Sequence, residues 1–159
     1  ELRPEELRAV ATDILAAKSW SSAPVLYSRL LRGSGDDMDY FQFLDVPGLL
    51  MVKDRFWVLR GRTIREGGTI RFQWDRFVWR SKYPELVKEL AEKHDSAIEP
   101  PINFGEWRFV PQADGRTQAR YYVCTDTGGR LGESVQKLAA LQTLPDTVAD
   151  LIVEARRRR

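Results

Sequence analysis

Apolar and polar residues alternate along several short stretches of the chain, the pattern of half-buried β-strands. The clearest stretch holds Ile70, Phe72 and Trp74, each separated from the next by a polar residue. Asp114-Gly115 lies between the last two such stretches and predicts a β-hairpin, because this pair favours a tight turn. The chain therefore predicts six strands: Val25–Arg32, Met38–Val46, Asp54–Arg62, Thr69–Trp79, Asn103–Pro111 and Arg120–Asp126.

Apolar residues that recur every three or four positions predict three helices, at Pro4–Ala17, Pro84–His94 and Leu131–Ala155. Pro145 lies inside the last of them and should kink or restart it, since proline has no N–H to donate. The order of elements is then helix, four strands, short helix, two strands and long helix. With short links between strands, this order predicts an α+β fold in which an antiparallel sheet carries helices on one side.

The C-terminal third resembles the end of START-type domains, which belong to the Bet v 1-like, helix-grip (SRPBCC) superfamily. The resemblance depends on three pieces in this order: Gly105-x-Trp107-x-Phe109-x-Pro111, Tyr121-x-Val123-x-Thr125-Asp126-x-Gly128-Gly129, and Leu144-Pro145. It implies a curved antiparallel sheet wrapped around a long C-terminal helix, with an apolar cavity between them.

The resemblance extends over Pro4–Ala155, and Trp20 fits a Trp-containing turn that such domains have before their fourth strand. Two departures stand out. Gly132 occupies a position where START domains often carry proline after the Gly-Gly turn. The strands that such domains usually have before the first helix of this chain are not seen, so either the sequence begins late in the fold or these strands are missing or swapped.

A length of 159 residues with 43% hydrophobic content predicts one folded domain, residues 1–159. The formal net charge is only +2, which gives no general electrostatic reason to bind nucleic acid. No signal peptide is visible, and no apolar run approaches the roughly 20 residues that span a bilayer. These observations assign neither a cellular compartment nor an oligomeric state.

The residue types that carry most catalysis are scarce. His94 is the one histidine, and it stands at a predicted helix end, where a surface or capping role is expected. Cys124 is the one cysteine, and its strand position favours a buried, inert thiol. No nucleophile motif and no metal-ligand spacing is present. We therefore predict no catalytic residue, no metal and no cofactor.

Aromatic residues on the strands are the positive signal, and a sheet face of this kind either packs as a core or lines a pocket. With the resemblance, we predict that the sheet and the last helix line a ligand cavity. The predicted ligand-binding residues are Tyr27, Phe41, Phe43, Leu50, Met51, Arg55, Phe56, Phe72, Trp74, Trp107, Phe109, Tyr121, Val135 and Leu138.

Charged and apolar segments around this cavity carry two interpretations each. Arg55, Asp75 and Arg108 either meet a ligand's polar head, as the resemblance implies, or form surface ion pairs. The loop Leu49–Val52 is apolar and either tucks against the core or, as in START domains, gates the cavity and touches a membrane. Arg156–Arg159 either attracts anionic lipid or ends a helix favourably.

The leading hypothesis is a non-enzymatic protein that binds, and transfers, a lipid or another apolar small molecule. The alternative on the same fold is a polyketide cyclase or aromatase, for which Tyr27, Arg55, Asp75 and Tyr121 are the candidate groups. A third hypothesis is an interaction module whose apolar helix face docks a partner protein.

Overall fold

A computed structural model describes residues 1–23, 25–44, 53–126 and 133–159, with residues 133–143 described in their backbone only. Six strands form one antiparallel sheet in the order β1-β2-β3-β4-β5-β6, so each strand lies beside its neighbour in the chain. The elements are α1 (Pro4–Ala11), α2 (Ala17–Trp20), β1 (Val25–Ser34), β2 (Asp37–Leu44), β3 (Arg55–Glu66), β4 (Thr69–Arg76), α3 (Pro84–Lys93), β5 (Ile102–Pro111), β6 (Thr117–Asp126) and α4 (Glu133–Arg157).

The predicted order of strands and long helices is confirmed, as is the hairpin at Asp114-Gly115. The Gln112 N–H donates to the Arg116 carbonyl and closes that hairpin. Gly115 has a φ of 82°, a left-handed conformation that glycine adopts without a steric penalty. The turn residues in the sequence therefore set the connection between β5 and β6.

Two helix predictions are wrong. The first helix ends at Ala11 and not at Ala17, and the Thr12 hydroxyl donates to the Arg8 carbonyl over 3.0 Å at that end. A side chain that bonds its own backbone in this way competes with continued helix. Pro145 does not restart the last helix, since α4 runs on through it to Arg157. A kink at Pro145 stays a prediction. The loss of one N–H donor is outweighed by the remaining hydrogen bonds and by packing of the helix against the sheet.

The sheet has two covered faces, and its sides are named here by their helices. On the α4 face, α1 and α4 cover a core that includes Tyr40, Leu59 and Phe72. On the α3 face, a second core joins Phe41, Phe43 and Val58 of the sheet to α3 and the segment before it. The prediction of helices on one side is therefore wrong. Strands β2 and β3 are apolar on both faces, and each face needs a cover.

Asp39 fixes the start of α3 to the sheet. Its carboxylate is completely buried and accepts hydrogen bonds from Arg60 Nε at 2.8 Å, Lys82 Nζ at 2.7 Å and the Tyr83 hydroxyl at 2.7 Å. Arg32 Nη2 adds a fourth donor at 3.2 Å. Burial works against the charge, but these four donors together hold the pKa of Asp39 far below its usual range.

We expect Asp39→Asn to lower the free energy of unfolding by about 2–3 kcal/mol. This lies just below the roughly 3–5 kcal/mol for removing one partner of a buried ion pair, because the three cations still reach water. Denaturant unfolding monitored by circular dichroism measures the change. Asp37→Asn is the matched control, since Asp37 bonds the same Arg32 but is 55% exposed, and it should cost under about 1 kcal/mol. Equal losses in the two variants would contradict the role given to Asp39.

The Asp39 contribution should also depend on pH. Its pKa is lower in the folded chain than in the unfolded chain, so the unfolded state takes up the proton first as pH falls. The stabilisation is complete above the unfolded pKa of about 4 and is lost below it. The difference in stability between the wild type and Asp39→Asn should therefore shrink as the pH is lowered from 6 to about 3. A constant difference over that interval would show that the carboxylate charge is not the cause.

Candidate functional site

The α4 face carries a row of stacked aromatic rings across β4, β5 and β6. Trp107 and Tyr121 stack with ring centroids 4.2 Å apart, and Trp74 also stacks with Tyr121, at 5.9 Å. Phe109 continues the row beyond Trp107 at 6.0 Å. Because these residues alternate with polar ones, all four rings point to the same side of the sheet. The row gives α4 a rigid, apolar floor.

A glycine inside a strand permits this arrangement. A Cβ at Gly105 would lie 2.2 Å from Cζ2 of Trp74 and 2.4 Å from the carbonyl oxygen of Tyr122. The Trp74 ring can therefore lie against the backbone of β5 only if residue 105 has no side chain. The indole N–H of Trp74 then donates to Asn103 Oδ1 at 3.0 Å, which satisfies both buried polar groups.

One end of the α4 face is filled by the helices. Leu151 and Ala155 of α4 meet Leu7 and Val10 of α1 over the sheet, and all four are almost completely buried. Arg158 holds the same end from outside through an ion pair with Asp13 at 2.9 Å. This end is a solid core with close packing, so it leaves no room for a ligand between the described side chains.

The other end of the α4 face, where β2 ends and β3 begins, is more polar. Strand alternation puts Arg55, Trp57 and Gln42 there on the α4 side. Arg55 is only 4% exposed, and desolvation lowers the pKa of its guanidinium. The indole N–H groups of Trp57 and Trp20 are buried and find no acceptor in the described part of the chain. Buried donors without a partner are uncommon, and a ligand or water oxygen would satisfy them.

Two tyrosines of this face, the buried Tyr40 and the half-buried Tyr121, act as proton donors and not as bases. Burial raises the pKa of Tyr121 to about 12, and it raises the pKa of Tyr40 well above its usual range. Both hydroxyls therefore keep their protons at neutral pH. The strand positions that face α4, as far as the structure describes them, hold no Asp or Glu. The described α4 face accordingly offers donors and apolar surface but no acid–base pair.

The structure divides the predicted ligand-binding residues between the two faces. On the α4 face it brings together Arg55, Phe72, Trp74, Trp107, Phe109 and Tyr121. On the α3 face it puts Tyr27, Phe41, Phe43 and Phe56, which belong to the second core. Leu50 and Met51 lie outside the described residues, as do the side chains of Val135 and Leu138. One cavity beneath α4 therefore cannot include the four residues of the α3 face.

Two of the predicted head-group residues also lie away from α4. Asp75 is exposed on the opposite side of β4, and Arg108 is paired there with Glu106 at 2.6 Å. The basic tail is engaged with acidic residues of the protein itself. Arg157 and Arg158 bond Glu154 and lower its pKa to about 2. Of the three candidates for a ligand's polar head, Arg55 alone is on the α4 side.

His94 and Cys124, the histidine and the cysteine considered for catalysis, lie in surroundings that fit a structural role. The backbone N–H of His94 ends α3 by bonding the Leu90 carbonyl, and its ring lies 4.3 Å from that of Phe43. Its Nε2 is 3.3 Å from the Tyr27 hydroxyl. Cys124 is a free, half-buried thiol on β6. Within the described ranges, no group of three or more His, Cys, Asp or Glu side chains is arranged to hold a metal ion.

Sequence reasoning missed Trp57 and Asn103. Trp57 follows Phe56 directly, so one of the two had to face α4, and the spacing of apolar residues did not show which one. The signal for Asn103 was Gly105, because a glycine inside a strand marks a close approach by another group. That group is Trp74, whose N–H requires an acceptor nearby.

The architecture is the helix-grip fold of START and Bet v 1-like domains. The sequence matches no protein-family model and no curated protein. Solved structures share the fold at low identity. A STAR-related lipid transfer protein fragment from Xanthomonas axonopodis is 18% identical with a TM-score of 0.74, over 98% of this chain and 80% of that one. Human STARD10 is 15% identical with a TM-score of 0.79, over 99% of this chain and 60% of that one.

An aromatase/cyclase has the same fold. The Zhui aromatase/cyclase from Streptomyces sp. R1128 is 14% identical with a TM-score of 0.61, over 99% of this chain and 89% of that one. The predicted fold class is therefore confirmed. The fold occurs both in lipid transfer proteins and in an enzyme, so the choice between these functions depends on the residues of the α4 face.

We expect Gly105→Ala to lower the free energy of unfolding by about 2–3 kcal/mol, because the added methyl forces Trp74 off the backbone of β5. The emission spectrum of tryptophan should shift to longer wavelength as the ring loses its packing. Gly67→Ala is the comparison, since a Cβ there meets nothing within 4 Å and only the positive φ of 54° is strained. That variant should cost about 1 kcal/mol and leave the emission unchanged. A Gly105→Ala protein with wild-type stability would contradict the close contact.

Proposed function

We propose that the protein binds a lipid or another apolar small molecule between the α4 face of the sheet and α4. The observation that carries the proposal is the aromatic row of Trp74, Trp107 and Tyr121 beneath a long helix, in a fold shared with lipid transfer structures. Apolar surface removed from water would supply affinity at about 25 cal/mol per Å². The packed end beneath Leu151 would exclude the ligand, and the end near Arg55 and Trp57 would receive it.

The polar groups of that end favour a ligand with one hydrogen-bonding head. The N–H of Trp57 is buried and without an acceptor in the described chain, and Arg55 adds a buried positive charge nearby on the same face. Both groups donate hydrogen bonds and neither accepts one. A carbonyl, hydroxyl or carboxylate oxygen on an otherwise apolar molecule would complement them.

Transfer between membranes is the finer part of the proposal. The apolar loop Leu49–Val52 follows β2 and precedes β3, next in sequence to the polar end of the α4 face. A segment of this composition, adjacent in sequence to the site, would contact the bilayer while the ligand enters or leaves. No described helix is long and apolar enough to cross a membrane.

A cyclase or aromatase is the second candidate, supported by the shared fold of the Zhui enzyme. Of its four candidate groups, Arg55 and Tyr121 are on the α4 side, whereas Tyr27 and Asp75 are on the other. Tyr121 is held protonated by burial, so it would stabilise an enolate by donating a hydrogen bond. The absence of Asp and Glu from the described strand positions facing α4 makes binding without turnover the better-supported proposal.

The first experiment is native mass spectrometry of the purified protein, followed by organic extraction and identification of what is released. We expect an apolar molecule of lipid size, present in about equal amounts with the protein. An empty protein that also fails to bind a fluorescent fatty acid would contradict the proposal. Turnover of a poly-β-keto thioester, lost in Tyr121→Phe, would support the cyclase instead.

A substitution at Trp57 tests where the head group of the ligand binds. Trp57→Phe keeps an aromatic ring but removes the indole N–H, so it should weaken binding of a fluorescent fatty acid about five- to tenfold, the effect of one hydrogen bond. Tyr122→Phe is the control, because Tyr122 is 59% exposed on the opposite side of the sheet. It should bind like the wild type. If the two variants bind equally well, the ligand head does not meet Trp57.

A further inference from the structure

Three arginines lie directly opposite one another on the α3 face of β4, β5 and β6. Arg71 is paired with Arg108 in the register of β4 and β5, and Arg108 is paired with Arg120 in that of β5 and β6. All three alternate with residues of the core beneath α4, so their side chains stand on the other face. The row therefore exists whether or not a further strand pairs with β6.

This arrangement works against the stability of the sheet. Directly opposed residues on neighbouring strands have Cβ atoms about 4.5–5.5 Å apart, and like charges in such pairs are destabilising. The side chains of Arg71 and Arg108 are only 26% and 40% exposed, so water screens their repulsion incompletely. Folding alone gives no reason for the row, whereas an anion bound across it would remove the repulsion.

The neighbouring carboxylates offset part of this charge. Glu106 accepts a hydrogen bond from Arg108 Nε at 2.6 Å and lies 3.8 Å from Arg71. Glu66 lies 3.5 Å from Arg71 but is 72% exposed, so its attraction is weakened by water. Arg120 donates to a neutral glutamine side chain on its own strand at 2.8 Å and has no acidic partner within the described ranges. The positive charge is therefore least compensated at Arg120.

A concavity of about 520 Å³ opens beside this end of the row. Arg108 and Arg120 border it on one side, and the rings of Phe104 and Tyr122 line it as well. These two rings lie 6.2 Å apart. An anion held by the arginines would therefore have an aromatic surface next to it. The concavity fits a molecule that joins an anionic group to an aromatic or apolar part.

Charge and geometry favour phosphate as the anionic group. A guanidinium donates paired hydrogen bonds that match the oxygens of a phosphate. A phosphate ester carries about −1.5 to −2 charge at pH 7, which complements three guanidiniums and one half-buried glutamate better than the single charge of a carboxylate does. We propose that Arg108 and Arg120 bind the phosphate of a phosphate monoester whose organic part is aromatic or apolar. Arg71 adds charge behind them, and the two rings contact the organic part.

Isothermal titration calorimetry with phenyl phosphate at low ionic strength tests the site. The wild type should bind, and Arg120→Gln should bind about tenfold more weakly or worse, as for the loss of a hydrogen bond to a charged group. Arg116→Gln is the matched control, because it removes the same charge from the turn between β5 and β6, where the side chain is 74% exposed. It should bind like the wild type. Inorganic phosphate should bind more weakly than phenyl phosphate, since it does not reach the rings.

Thermal unfolding separates loss of the site from loss of the fold. Without ligand, Arg120→Gln removes the repulsion with Arg108, so it should raise the unfolding midpoint at low salt. The gain should shrink in about 0.5 M salt, which screens the charges. Phenyl phosphate should raise the midpoint of the wild type and not that of Arg120→Gln. A variant that binds less and also unfolds at a lower temperature would show that Arg120 supports the fold, and would overturn the proposal.

Vesicles distinguish the two sources of a phosphate monoester. Binding to phosphatidylcholine vesicles that contain phosphatidic acid, lost in Arg120→Gln, would assign the monoester to a lipid head group. Calorimetric binding of phenyl phosphate without vesicle binding would assign it to a soluble molecule. Either result supports the arginine site.

Absence of both kinds of binding would overturn the proposal. Equal weakening in Arg116→Gln and Arg120→Gln would overturn it as well, because the attraction would then be general and not local. Equal affinity for inorganic phosphate and phenyl phosphate would overturn the contact with the rings. The proposed lipid site lies on the α4 face, so neither proposal depends on the other.

Discussion

Strands β2 and β3 carry apolar side chains on both of their faces. The arrangement of the helices follows from this constraint. Tyr40 and Leu59 point to one side, and Phe41 and Val58 point to the other. Water must be excluded from both sides, so the sheet needs two separate covers. Helices α1 and α4 provide one cover, and α3 with the segment before it provides the other. Asp39 holds the second cover in place through the donors gathered around its carboxylate.

The two ends of the α4 face differ in packing and in polarity. The contacts of Leu151 and Ala155 with α1 make one end a core in the ordinary sense. The end near Arg55 and Trp57 combines a buried charge with an indole donor that lacks an acceptor in the described chain. A buried donor without a partner costs free energy, and the indole N–H of Trp57 is such a donor, whereas the guanidinium of Arg55 bonds the carbonyl of Lys53. A binding site at that end would explain the indole donor.

Much of the fold could be predicted from the sequence, because alternation and turn residues are local signals. Ile70, Phe72 and Trp74 marked β4, and Asp114-Gly115 marked the hairpin between β5 and β6, without reference to anything distant. The faces could not be predicted in the same way. Tyr40 and Phe41 are adjacent and both buried, so alternation along β2 does not show which of them meets α4. The structure puts Phe41, Phe43 and Phe56 on the α3 face, a placement that alternation along the strands did not show.

The order of the strands has a consequence for how the chain folds. Every strand pairs with its neighbour in sequence, so the sheet closes short loops except for the connection from β4 to β5, which carries α3. Closing short loops costs little entropy. The contact between the two ends is different, since Asp13 and Arg158 are 145 positions apart. During synthesis, all six strands leave the ribosome before α4 exists. The aromatic row would then be exposed to water and to other chains until the last helix arrives, which makes this interval the one in which aggregation is most probable.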